Sequence, residues 1–150
     1  MIAPGHTLIE AREYVGARLD AGVTCPCCDQ YVRRYRRKLN ANMIQFLISL
    51  YRWGSVSPWV DYRKCRFRGR DYNYLAHWGL AELQPNDDTK KKASGLWRIT
   101  PEGAQFALRR IVVPKYLYFL NNAVVGKSDE LTDVLTALGS QFNYQELMTK

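Results

Sequence analysis

Residues 71–103 read DYNYLAHWGLAELQPNDDTKKKASGLWRITPEG, and the alternation of apolar and polar runs in this stretch decides the fold class. Asp71 suits a helix N-cap, and the residues from Tyr72 to Trp78 continue as a helix until Gly79 stops it. Leu80-Ala81-Glu82-Leu83 then reads as a strand. Gln84 to Gly95 is polar and carries Lys90, Lys91 and Lys92. Leu96-Trp97-Arg98-Ile99-Thr100 alternates in the manner of a second strand. Thr100 is a strong N-cap, Pro101 suits the first helical position, and a helix follows through Phe106, Ala107 and Leu108.

Outward from this stretch, Asn40 or Asn42 can cap a helix through residues 43–51 that is apolar nearly all round, as a central core helix would be. Residues 54–58 break it, Trp59 to Tyr62 suggests a short strand, and residues 63–70 form a dense basic run around Cys65. Nearer the N-terminus, Thr7 and Glu10 have capping-box spacing, with a helix running to about Leu19 and ending at Gly22. Tyr31, Val32, Tyr35 and Leu39 fall at helical spacing, which predicts a short basic helix over 29–39. At the other end, residues 111–113 and 114–120 look like strands. Asn121-Asn122 can turn the chain into Ala123 to Gly126, giving a hairpin. Ser128-Asp129-Glu130 is read as the cap of a last helix through Leu131, Val134, Leu135 and Leu138.

Helix, strand, polar loop, strand, helix is the order of the winged part of a winged-helix domain. The expected class is therefore α+β, with a winged helix-turn-helix core over 41–110. An N-terminal segment over 1–40 holds a helix, the cysteine cluster and the basic helix. A C-terminal segment over 111–150 holds a hairpin plus helix. In this arrangement one helix enters the major groove while the hairpin beside it touches phosphates. The helix 71–78 would present Tyr72, Asn73 and His77, with Arg68 and Arg70 at its entrance. Lys90, Lys91 and Lys92 would form the wing tip. Asn suits bidentate reading of adenine, whereas a wing lysine adds charge without sequence information.

His77-Trp78-Gly79-Leu80-Ala81-Glu82 and Gly95-Leu96-Trp97-Arg98-Ile99-Thr100-Pro101-Glu102-Gly103 resemble the corresponding corners of MarR-like and PadR-like regulators. The chain more widely resembles a family of small bacteriophage-encoded proteins. The matching pieces are Cys25-Pro26-Cys27-Cys28-Asp29-Gln30-Tyr31-Val32, Tyr35-Arg36-Arg37-Lys38-Leu39-Asn40, Leu75-Ala76-His77-Trp78-Gly79-Leu80, Trp97-Arg98-Ile99-Thr100 and Val113-Pro114-Lys115-Tyr116. They keep this order over roughly residues 25–122. The resemblance implies a phage origin and a place in the host bacterial cytoplasm. It implies no activity.

The chain carries a net charge of +8, and its location says more than its size. Residues 25–75 hold eleven Lys and Arg against three acids, which equals the whole imbalance. Concentrated charge builds a local field that attracts a polyanion; a solvated basic face is the plainer alternative. Arg33, Arg36 and Arg37, then Arg66, Arg68 and Arg70, are the expected nucleic-acid contacts, with double-stranded DNA the expected form. With 47% hydrophobic residues the chain can bury a core, and it has no apolar run of the ~18 residues that a membrane span needs.

Cys25-x-x-Cys28 has the spacing of half a zinc knuckle. The second half is not evident. A zinc site built from Cys25, Cys28, Cys65 and His6 or His77, or one shared between two chains, stands beside the alternative of free cysteines packed as small hydrophobes. The sequence holds no paired acids, Ser/His/Asp set, Gly-rich phosphate loop or metal-binding His pair, so no enzymatic activity is expected. The rival to nucleic acid is a host protein that this chain binds and inhibits or redirects. Arg68, Arg70, Tyr72 and Asn73 facing outward together would favour nucleic acid. Burial of Tyr72 and Tyr74 with an apolar patch elsewhere would favour protein. Tyr116, Tyr118, Leu131, Val134 and Leu138 serve either as core or as a homodimer interface.

Overall fold

The computed structural model describes residues 5–54, 58–86 and 93–149. In chain order the regular elements begin with α1 (Leu8–Gly16), β1 (Val23–Thr24), β2 (Tyr31–Val32), β3 (Tyr35–Lys38), α2 (Ala41–Trp53) and β4 (Val60–Asp61). Short 3-10 turns occupy Tyr62–Lys64 and Asp71–Tyr74, the second running directly into α3 (Leu75–Trp78). There follow β5 (Ala81–Leu83), β6 (Leu96–Ile99), α4 (Pro101–Ala107), β7 (Val113–Pro114), β8 (Tyr116–Leu120) and β9 (Ala123–Lys127). The chain closes with β10 (Leu131–Thr132), α5 (Val134–Leu138) and α6 (Tyr144–Thr149). The architecture is mixed α+β, built on small sheets whose described pairings are antiparallel.

The chain divides into two compact units, one of residues 1–37 with 116–128, the other of residues 38–115 with 129–150. The segment 111–150, read from the sequence as one piece, is thereby split: its hairpin belongs to the first unit and its helices to the second.

In the first unit the Thr7 hydroxyl accepts the Glu10 N–H at 3.1 Å and donates to the Glu10 carboxylate. The helix stops at Gly16, short of the expected Leu19. The expected helix over 29–39 is not formed, and the cause lies on both sides of it. Val23 and Thr24 pair with Val32 and Tyr31 around the cysteine turn, which Asp29 completes in the left-handed region at φ 61°. β3 then joins β8 and β9 in a three-stranded sheet, order β3-β8-β9. A tyrosine, valine and arginine pattern that fits a helix locally also suits strands, and here the distant β8 decides. Asn121 and Asn122 take φ of 50° and 64°, as a two-residue hairpin turn requires. Leu117 and Phe119 are buried while Tyr116, Tyr118 and Leu120 are half-buried, a period of two.

The second unit is organised on α2. The Asn40 side chain accepts the Met43 N–H at 3.1 Å and donates to Asp71 at 2.8 Å, which ties the helix start to the 71–78 segment. Seven residues between Met43 and Leu50 are buried, so the helix is surrounded, as its all-round apolarity predicts. β4, β6 and β5 form a sheet in that order, with Val60 opposite Trp97 and Ala81 opposite Ile99. Thr100 caps α4, accepting the Gly103 N–H at 3.0 Å and donating to the Gly79 carbonyl at 2.6 Å. Residues 131–132 depart from expectation: they pair with 113–114 as a strand. The cap that starts the helix is Asp133, which accepts the Thr136 N–H at 2.7 Å. α6 follows as a further helix.

Candidate nucleic-acid interface

Residues 65–68 alternate. Cys65 and Phe67 pack toward the core while Arg66 and Arg68 stand exposed. The Ser49 hydroxyl on α2 accepts the Arg66 N–H at 3.1 Å, so the backbone of this basic run is held by the central helix. Arg63 is engaged by Asp61 at 2.8 Å, and that pairing holds the Asp61 carboxyl down at about 2. Among the described residues Arg66, Arg68 and Arg70 have no such carboxylate partner. Their charge is therefore open to an outside anion. Asn73 and His77 are also exposed, on the segment that begins where this run ends.

The expected helix over 71–78 is a 3-10 turn followed by one turn of α-helix. Gly79 ends it at φ 75°. Tyr72 does not project from it. Its ring packs 4.8 Å from Phe46, 4.6 Å from Phe67 and 5.8 Å from Trp97 (centroid distances) and stacks on Tyr62. Burial raises its phenol pKa. Tyr72 therefore anchors the half-buried segment to α2 and β6 through its ring. The Asn73 amide donates one N–H to the Arg70 carbonyl at 3.0 Å; an amide has a second N–H and an acceptor oxygen besides. Tyr74 is half-buried. Lys90, Lys91 and Lys92, the expected wing tip, lie outside the described residues.

Arg33, Arg36 and Arg37 belong to the first unit, whereas Arg66, Arg68 and Arg70 belong to the second. All three are exposed. Sequence reasoning missed what accompanies them: Arg36 lies over the Tyr116 ring at 4.1 Å, Arg34 over Tyr118 at 5.2 Å and Arg33 over Tyr35 at 5.4 Å. The only local signal was the Tyr and Arg interleaving of residues 31–37; the partners on β8 are remote in sequence.

Cys25 and Cys28 flank a turn in the first unit, and Cys65 sits against the core of the second. Backbone N–H groups of Cys27 and Cys28 lower the Cys25 thiol pKa. Burial raises that of Cys27 and pushes that of Cys65 up to about 11. His6 Nε2 is 3.5 Å from the Cys27 sulfur. Among the described residues no three His, Cys, Asp or Glu side chains are arranged to hold a metal ion. None of the described helices is long and apolar enough to cross a membrane.

No family model, curated protein or solved structure matches this chain.

Proposed function

We propose that this protein binds nucleic acid, double-stranded DNA in the first instance, through the basic run 66–70 and the exposed edge of the 71–78 segment. The observation that carries this reading is that Arg66, Arg68 and Arg70 stand exposed with no carboxylate partner among the described residues, on a run whose Arg66 N–H is held by α2 and which leads to the exposed Asn73 and His77. Exposed guanidinium groups suit phosphates, which supply much of the affinity in such complexes. A winged-helix core is supported by the succession α2, β4, two short helical turns, α3, β5, β6, α4 and by the sheet order β4-β6-β5. The short 71–78 segment then plays the groove-facing part with Asn73 and His77, while Tyr72 holds it in place. A phage origin rests on the resemblance to bacteriophage-encoded proteins, and a regulatory role on the resemblance of residues 77–82 and 95–103 to MarR-like and PadR-like regulators.

A host-protein partner is the second reading. The inward packing of Tyr72, the half-buried Tyr74 and the exposed Leu8 and Ile9 at the start of α1 (62% and 68%) favour it, whereas the exposed Arg68, Arg70 and Asn73 favour nucleic acid.

The reading is tested by titrating a labelled duplex with the protein and with an Arg66→Ala/Arg68→Ala/Arg70→Ala variant at two salt concentrations. Binding should weaken steeply with salt, and the variant should lose about tenfold or more in affinity, since each phosphate contact adds to the salt-dependent part. Equal affinity of the two proteins would remove the basic run from the interface. No binding at low salt would turn attention to α1 and a protein partner.

A further inference from the structure

The first unit carries a second surface of different chemistry. Asp20, Arg33, Arg34, Tyr35, Arg36 and Tyr118 line an open groove of about 460 Å³. Asp20 holds Arg34 at 2.6 Å and so fixes one guanidinium. Arg33 and Arg36 have no carboxylate partner among the described residues, which leaves the groove cationic. Side chains alternate along a strand, and so Tyr116 and Tyr118 share the face of β8 opposite the buried Leu117 and Phe119. Gly126 lies opposite Tyr118 in the β8–β9 register. A Cβ at Gly126 would only touch the Tyr118 ring, at 3.5 Å; the ring is half-buried and carries the Arg34 guanidinium over it at 5.2 Å. Tyr35 stands 51% exposed.

Guanidinium groups recognise phosphates, and tyrosine faces and guanidinium planes stack on bases. A duplex offers no free base faces, whereas a single strand offers both phosphates and faces. A groove of this size lies within the range that encloses small ligands, room for one or two nucleotides. We infer that this groove is a stacking site for single-stranded nucleic acid, with Arg33 and Arg36 on phosphates and Tyr35 and Tyr118 against bases. The site lies in the other unit from the proposed duplex interface and stands independently of it.

The test uses fluorescein-labelled oligothymidylate of about 12 nucleotides, longer than the one or two that the groove encloses and inside the range that single-strand-binding domains engage. An abasic oligomer with the same number of phosphates serves as the control. The full chain should bind the thymidylate about tenfold more tightly than the abasic strand, because stacking adds to charge. Arg33→Ala/Arg36→Ala should lose about tenfold or more in single-strand affinity while retaining duplex binding. Conversely, Arg66→Ala/Arg68→Ala/Arg70→Ala should keep the single strand. Equal binding of thymidylate and abasic strands, or an unchanged Arg33→Ala/Arg36→Ala variant, overturns the inference. Should that variant fail to fold, photocrosslinking of the unaltered protein to a thiothymidine strand decides. Crosslinks on peptides containing Tyr35 or Tyr118 uphold the site, and crosslinks confined to other peptides overturn it.

Discussion

At the scale of single residues, environment separates chemically identical side chains. Two backbone N–H groups stabilise the thiolate of Cys25, whereas Cys65 packs beside the core, where a thiolate is poorly solvated. A lowered pKa means more thiolate at a given pH, so near neutral pH Cys25 should alkylate first and Cys65 last. Cys65 should react readily only after unfolding or well above neutrality. Mass spectrometry of timed iodoacetamide labelling checks this order; equal rates at Cys25 and Cys65 would contradict the burial assigned to Cys65. Tyr72 makes the same point for aromatic residues. Its position beside Arg68, Arg70 and Asn73 suggested base reading, and the sequence could not reveal that Phe46, Phe67 and Trp97 converge on it.

At the scale of elements, the second unit depends on close approach of α4 to the loop before β5. Gly103 lies in the first turn of α4, and a Cβ there would stand 1.9 Å from the Leu80 carbonyl oxygen. Gly→Ala inside a helix ordinarily stabilises by roughly 0.5–1 kcal/mol. Here the sign should invert. Gly103→Ala should cost about 1–3 kcal/mol through overpacking against backbone, read from the denaturant midpoint. A gain in stability would show that α4 does not approach so closely. Elements whose signals are local were legible in the sequence: the Asn40 and Thr100 caps, the surrounded α2, the Asn121-Asn122 turn and the pair β5 and β6. Those decided by a distant partner were not. Residues 31–32 and 35–38 became strands because β1 and β8 pair with them, and Leu131 was taken from the predicted helix by β7.

At the scale of the molecule, the basic stretch 25–75 looked continuous but is divided between two units. Arg33, Arg34, Arg36 and Arg37 lie in one, and the remaining Lys and Arg of that stretch lie in the other. Charge counting located both regions in the sequence yet could not divide them, since the division follows from β8 and β9 joining the N-terminal part. A long-range field draws a polyanion to either region. Local geometry then separates their roles: arginines over tyrosine rings in one, arginines beside a short helical segment in the other. The rival protein-partner reading keeps its own signature in the exposed start of α1, remote in sequence from both.

The central claim is that residues 66–78 contact duplex DNA, and amide hydrogen exchange with and without a saturating short duplex tests it most directly. Exchange in peptides spanning 66–78 should slow when the duplex is bound, because bound groups open less often. Unchanged exchange across 66–78 under saturation, with protection confined to other peptides, would contradict the claim.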